Sequence, residues 1–158
     1  MKKLVSFILT IHLVMVFMIS CNTQGNRGEN AGKTAGDQQV DPLTATAAED
    51  QFMTRGENIY KRVCLVCHQS DGSGVPMMYP PVIESEYISG ETDSLIVLIL
   101  EGISGPVTVK GEEYNSIMPP QKDVLDNQEV ADLINYLRKS FGNTGESVSP
   151  EHVARMRK

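Results

Sequence analysis

The chain has 158 residues, with 14 Lys and Arg against 20 Asp and Glu, giving a formal net charge of −6 at pH 7. That acidity disfavours nucleic acid and anionic membrane surfaces as direct ligands. Three cysteines are too few for a disulfide scaffold, and with no Trp and 6% aromatic residues the chain has few large side chains for a core.

The first element in chain order is an export signal. Lys2 and Lys3 precede an apolar run from Leu4 to Ile19, interrupted by Ser6, Thr10 and His12. A membrane span needs ~20 apolar residues, so this run suits a signal over residues 1–20 better than a spanning helix. It ends in Met18-Ile19-Ser20-Cys21, which resembles the bacterial lipoprotein signal, with Met18 where that signal usually has leucine. The resemblance implies cleavage before Cys21 and lipidation of its thiol, and hence a protein anchored to a bacterial membrane and facing the periplasm or the outside. The competing reading is an uncleaved anchor with an ordinary Cys21 thiol. Diacylation would hold the protein firmly, where a single chain binds only marginally. Loss of Lys2 and Lys3 with the signal takes the charge from −6 to −8.

Residues 21–46 read as a flexible tether. From Asn22 to Thr46 there is no Phe, Ile, Tyr or Trp, and only Val40 and Leu43 are large and aliphatic. Such a segment cannot bury enough surface to offset its ordering entropy. As a coil it would span ~25–30 Å.

Residues 47–142 form one small domain. Thr46-x-x-Glu49 predicts a capped helix whose apolar stripe is Phe52, Gly56, Ile59, Tyr60 and Val63. The helix runs into Cys64-Leu65-Val66-Cys67-His68. C-x-x-C-H is the attachment sequence of a c-type haem: two thiols form thioethers with the vinyl groups, and the imidazole becomes an iron ligand. Helical spacing lets Cys64, Cys67 and His68 turn toward one flat ring. A redox dithiol would need a thioredoxin-like alternation of strands and helices, and a zinc site would need four ligands, with only Cys21, His12 and His152 left elsewhere. A plain disulfide is the remaining alternative.

Gln69 to Gly90 is a long Gly- and Pro-rich stretch without periodicity, and wrapping a cofactor is a reason for a loop of that length. A second helix follows Thr92 and Asp93, carries Leu95 to Leu100 and stops at Gly102. Val107-Thr108-Val109 and Glu113-Tyr114 around Lys110-Gly111 suggest a short hairpin. The third helix opens with the capping box Asp126-x-x-Glu129 and a Leu125–Val130 staple. It presents Val130, Leu133, Ile134, Leu137 and Phe141 on one face, with Gly142 as its stop. Residues 143–158 are a polar extension in which Ser149-Pro150 can start a short helix.

From Asp50 to Gly142 the chain resembles the class I cytochromes c, monohaem electron carriers with His/Met ligation. The likeness rests on Gly56 and Tyr60 with Leu133 and Tyr136 as a helix crossing, on Gly72-Ser73-Gly74 and Pro80-Pro81, and on Ile117-Met118-Pro119. It implies an all-α cytochrome c-like fold, helices wrapped around one covalently attached haem c with long loops. It also implies that Pro81 offers its carbonyl to the ligand histidine and that Met118 is the second axial ligand. Of the eight methionines, Met1, Met15 and Met18 lie in the signal, Met156 in the extension and Met53 on the first helix, while Met77 and Met78 follow His68 closely. Two prolines after Met118 stiffen its backbone.

With both axial positions filled and no second histidine in the domain to serve as acid or base, the expected function is a tethered, non-catalytic carrier of single electrons between periplasmic or cell-surface redox proteins. The alternatives are an electron-transfer subunit of a dehydrogenase or nitrite reductase, and a haem sensor or enzyme with a dissociable Met118. The acidic chain suits a redox partner with a basic docking patch.

Overall fold

The computed structural model describes residues 42–157, with side chains from residue 49. The export signal, Cys21 and most of the tether lie outside the described residues. Within them the order is α1 (Pro42–Val63), α2 (Leu65–His68), α3 (Thr92–Glu101), β1 (Val107–Val109), β2 (Glu112–Tyr114), α4 (Asn127–Lys139) and α5 (Pro150–Met156).

The crossing of α1 over α4 organises the domain. A Cβ on Gly56 would overlap the Asp132 carbonyl oxygen and the Tyr136 Cβ, so glycine is what lets the backbones approach. One turn later Tyr60 is 2% exposed, and its ring stacks at 5.9 Å from Tyr136 and 5.3 Å from Phe141. Ion pairs run along the same seam: Arg55 grips Asp132 with two hydrogen bonds of 2.6 and 3.0 Å, Arg62 meets Glu129, and Lys139 meets Glu49. The bond to Asp132 raises the Arg55 pKa. The core beside the crossing comes from Leu95, Ile96, Ile99 and Leu100 of α3 and Val130, Leu133, Ile134 and Leu137 of α4. Each such side chain contributes roughly 1.5–3 kcal/mol when fully buried.

The capping signals act as expected in α4 and α5, whereas α3 takes in Thr92 and Asp93, expected to precede it, and is capped by Glu91 instead. Glu91 accepts from Asp93 N and Ser94 N, the Asp126–Glu129 box is closed in both directions, and Ser149 accepts from His152 N ahead of Pro150. The hairpin pairs Val107 with Tyr114 and Val109 with Glu112. Lys110 and Gly111, at φ 52° and 81°, form the two-residue turn that matches strand twist.

Three boundaries differ from the expectation. α1 begins at Pro42, inside the stretch assigned to the tether through residue 46, because proline suits a first helical turn and the following Leu and Ala residues favour helix. Thr46 therefore sits within the helix rather than capping it. α4 ends at Lys139, so Phe141 and Gly142 leave the helix at φ 57° and 74°. Phe141 keeps its place in the apolar cluster by packing edge-on to Tyr136 instead of continuing the helical face. The extension, polar in composition, is docked: Val148 and Val153 are 4% and 0% exposed.

The loop from Gln69 to Gly90 is tied down by explicit partners. Val82 N and Ile83 N both donate to the Gly72 carbonyl, and Glu84 N donates to that of Phe141. Buried Asn143 accepts from Ser85 N and donates to the Val82 and Leu137 carbonyls. Arg138, 3% exposed, donates to the Ile88, Gly90 and Glu146 carbonyls and to Thr92 Oγ1. Burial lowers its pKa. Replacement Gly56→Ala should destabilise the protein by about 1–3 kcal/mol through overpacking at the crossing. Denaturant titration of the variant against the native protein measures it.

Candidate functional site

The segment Cys64 to His68 is a tight helical turn at the end of α1. The amides of Cys67 and His68 both donate to the Cys64 carbonyl, at 3.1 and 3.0 Å, and Gln69 ends the turn at φ 63°. Tyr60 fixes that end, its hydroxyl donating to the Gln69 carbonyl at 2.6 Å. Burial pushes the Tyr60 phenol far above its ordinary pKa, so the proton stays in place. The sequence marked Tyr60 for packing; its polar role carries no local signal.

Cys64, Cys67 and His68 line one cavity, and Met118 lines the same cavity from a separate segment. The wall between them is mainly apolar, with Leu98, Ile99, Leu133 and Leu137 among its residues. Val66 and Ile117 also border it while being 77% and 71% exposed, which puts them at its mouth. Among the described residues Met118 is the methionine on this wall. Met77 and Met78 stand 89% and 50% exposed in a turn closed by mutual hydrogen bonds of Val75 and Tyr79.

Burial sets the protonation of Cys64 and His68. Both thiols are free, and burial pushes the Cys64 thiol up to about 12, with Cys67 adding to the effect. A redox dithiol would need the opposite shift, toward a thiolate near neutral pH. Among the described residues no cluster of three or more His, Cys, Asp or Glu could hold a metal ion. Burial lowers the His68 pKa, only partly opposed by a backbone carbonyl. The imidazole is thus neutral, and since a carbonyl can only accept, Nδ1 carries the proton. That leaves the Nε2 lone pair for a metal.

The carbonyl beside His68 is that of Pro80, at 2.9 Å from Nδ1, and not that of Pro81. The Val75–Tyr79 pair closes the turn so that the next carbonyl, Pro80, comes to the ring. Pro81 remains on the cavity wall, and the chain beyond it is captured by the Gly72 carbonyl. Adjacent prolines look alike in sequence; the closing pair decides between them.

Met118 is positioned by backbone. Its amide and carbonyl pair with those of Ile103 at 3.0 and 2.9 Å. Gly102, at φ 71°, lies against this pair, and a Cβ there would overlap the Met118 carbonyl. Downstream, Gln121 Nε2 donates to the Pro119 carbonyl at 2.9 Å, while Gln121 N and Lys122 N bond the last carbonyls of α3, those of Ile99 and Leu100. Two thiols, an imidazole with a free nitrogen and a thioether, set around an apolar cavity, are the donor set a covalently bound haem requires. Gly102→Ala should cost about 1–3 kcal/mol through the clash and the positive φ. Thermal unfolding of the variant reads that loss.

Comparison with known proteins gives an independent view. A family model described as Cytochrome c matches residues 53–141. The cytochrome c subunit of the quinone alcohol dehydrogenase of Gluconobacter oxydans (strain 621H) is 30% identical over 132 residues, 82% of this chain and 26% of that protein. Cytochrome c-552 of Thermus thermophilus is 34% identical over 92 residues, 56% of this chain and 69% of that protein. The gluconate 2-dehydrogenase cytochrome c subunit of Pantoea cypripedii is 35% identical over 106 residues, 65% of this chain and 24% of that protein. The chain thus spans about a quarter of the length of the dehydrogenase subunits it matches.

Proposed function

Because this chain belongs to the cytochrome c family, we propose that it is a membrane-tethered carrier that passes single electrons between periplasmic or cell-surface redox proteins. The family carries one covalently bound haem c, which supplies one-electron Fe(II)/Fe(III) chemistry. Cys64 and Cys67 would hold it by thioethers, and His68 Nε2 and the Met118 sulfur would be the donors to its iron. The Pro80 carbonyl, by accepting from Nδ1, orients the imidazole and raises its basicity. The apolar wall keeps water from the ring, and thioether ligation favours a higher potential than a second imidazole would.

One observation carries the reading: the chain provides a nitrogen donor and a sulfur donor from two segments of the same cavity wall. With both iron donors supplied by the protein, no open position would remain for oxygen, peroxide or nitrite. The anchor is a lipid on Cys21, supported by the signal-like residues before it. The partner presents a basic patch, because the four cations nearest the motif in sequence or site are already neutralised: Lys61 by Glu57, Arg62 by Glu129, Lys110 by Glu84 and Lys122 by Glu101. A second reading, a stable subunit of a membrane dehydrogenase, is favoured by the relatives named as dehydrogenase cytochrome subunits. Co-purification from detergent-solubilised membranes decides between them.

The holoprotein, denatured and washed with acidified organic solvent, should keep its colour and the added mass of the haem, and Cys64→Ala or Cys67→Ala should weaken that retention. Met118→Ala should abolish the weak red-end absorbance band of iron–thioether ligation and lower the potential; survival of both would show that Met118 is not a ligand. Carbon monoxide added to the reduced native protein should leave the spectrum unchanged, whereas rapid stoichiometric binding would favour a sensor or enzyme. Association with the partner should slow as salt rises.

A further inference from the structure

The stretch that follows the methionine is held from outside by the C-terminal helix. Arg157 closes α5, and its guanidinium donates from all three nitrogens: Nε to Asn127 Oδ1 at 2.6 Å, Nη1 to the Lys122 carbonyl and Nη2 to the Leu125 carbonyl at 2.8 Å. These acceptors belong to residues 122–127, the short connection from the Met118 loop to α4. On its inner side the same connection hangs from the end of α3, through Gln121 N and Lys122 N. α5 is itself seated, with Val153 at 0% exposure and His152 paired with Asp93 of α3. Glu146, in the strand of chain leading to α5, is gripped by Arg138 through its carbonyl.

We infer that the C-terminal helix is a latch on the sixth-ligand loop, and that Arg157 is the positioning residue through which it acts. The inference rests on Met118 being an axial ligand. A forked cation bound to two carbonyls and an amide oxygen restrains the connection in position and angle, as a single point donor cannot. An added ligand reaches the ferric iron only when the loop swings away. Its apparent affinity is then its intrinsic affinity scaled by the fraction of molecules with the loop open. Arg157 lowers that fraction without touching the haem.

The test is imidazole binding to the full-length ferric holoprotein, followed by loss of the iron–thioether band. Arg157→Ala should raise the apparent affinity roughly tenfold, the size expected when charge-assisted hydrogen bonds are lost. Arg157→Lys, which keeps a cation but loses the fork, should fall between. Arg155→Ala, on the same helix but touching none of these acceptors, should bind as the native protein does. Native-like imidazole affinity in both Arg157 variants overturns the latch, whatever their melting temperatures. Should Arg157→Ala not accumulate as holoprotein, Arg157→Lys carries the decision alone, a rise supporting the latch and no change overturning it. Failure of the ligand assignment is distinguishable, because the native ferric protein would then lack the band that imidazole removes, and the latch would fall with it.

Discussion

Backbone contact between α1 and α4 at Gly56 is what the haem-attachment motif is built on. α1 leads directly into Cys64, so the angle and depth at which it crosses α4 decide where the two thiols and His68 stand. Tyr60 transmits that placement one turn further, packed against Tyr136 and Phe141 on one side and donating to the Gln69 carbonyl on the other. A domain of this size has little core to spare, and here part of its interior is a cavity. A ring held there would complete the core that the side chains leave open.

The opposite wall has no helix crossing to rely on. Residues 102–126 before α4 are mostly irregular, and irregular backbone near a core must find partners for every buried N–H and C=O. Ile103 and Met118 satisfy each other, Gln121 turns its amide back onto Pro119, and α3 lends its terminal carbonyls. Arg157 completes the accounting here, and Arg138 does the same for the loop before α3. Arg138 and Arg157 each spend their donors on carbonyls from sequentially distant segments. Burying a cation is costly, and several charge-assisted bonds to carbonyl oxygens offset that cost while tying chain segments together.

The charge pattern around the site fits the same economy. Lys61, Arg62, Lys110 and Lys122 each face a carboxylate, so they stabilise local geometry and leave no basic ring for an acidic partner. The mouth of the cavity carries exposed Val66 and Ile117 instead. Exposed ion pairs of this type contribute little to stability, of order 0–1 kcal/mol each; their larger effect is on the field a partner meets.

Much of the fold could be read in advance wherever the signal was local. The Asp126–Glu129 capping box, the Lys110–Gly111 turn, the Gly102 stop and the Ser149-Pro150 start all lie within a few residues of the structure they specify. The start of α1 lies upstream of the Thr46 pattern because Pro42 and the Leu and Ala residues after it favour helix, and α4 ends before Phe141 because that ring packs on Tyr60 and Tyr136 from outside the helix. Phe141 kept its apolar role after leaving the helix, since burial against Tyr60 and Tyr136 constrains position more than backbone conformation. The amino-acid sequence alone determined that two thiols and an imidazole stand in one contiguous run and that a methionine precedes two prolines, because each of these signals is local. Only the tertiary structure decided that Pro80 rather than Pro81 meets His68, and that Arg157 reaches the connection after Met118. Those contacts end on backbone carbonyls, which every residue possesses, so no residue type announces them.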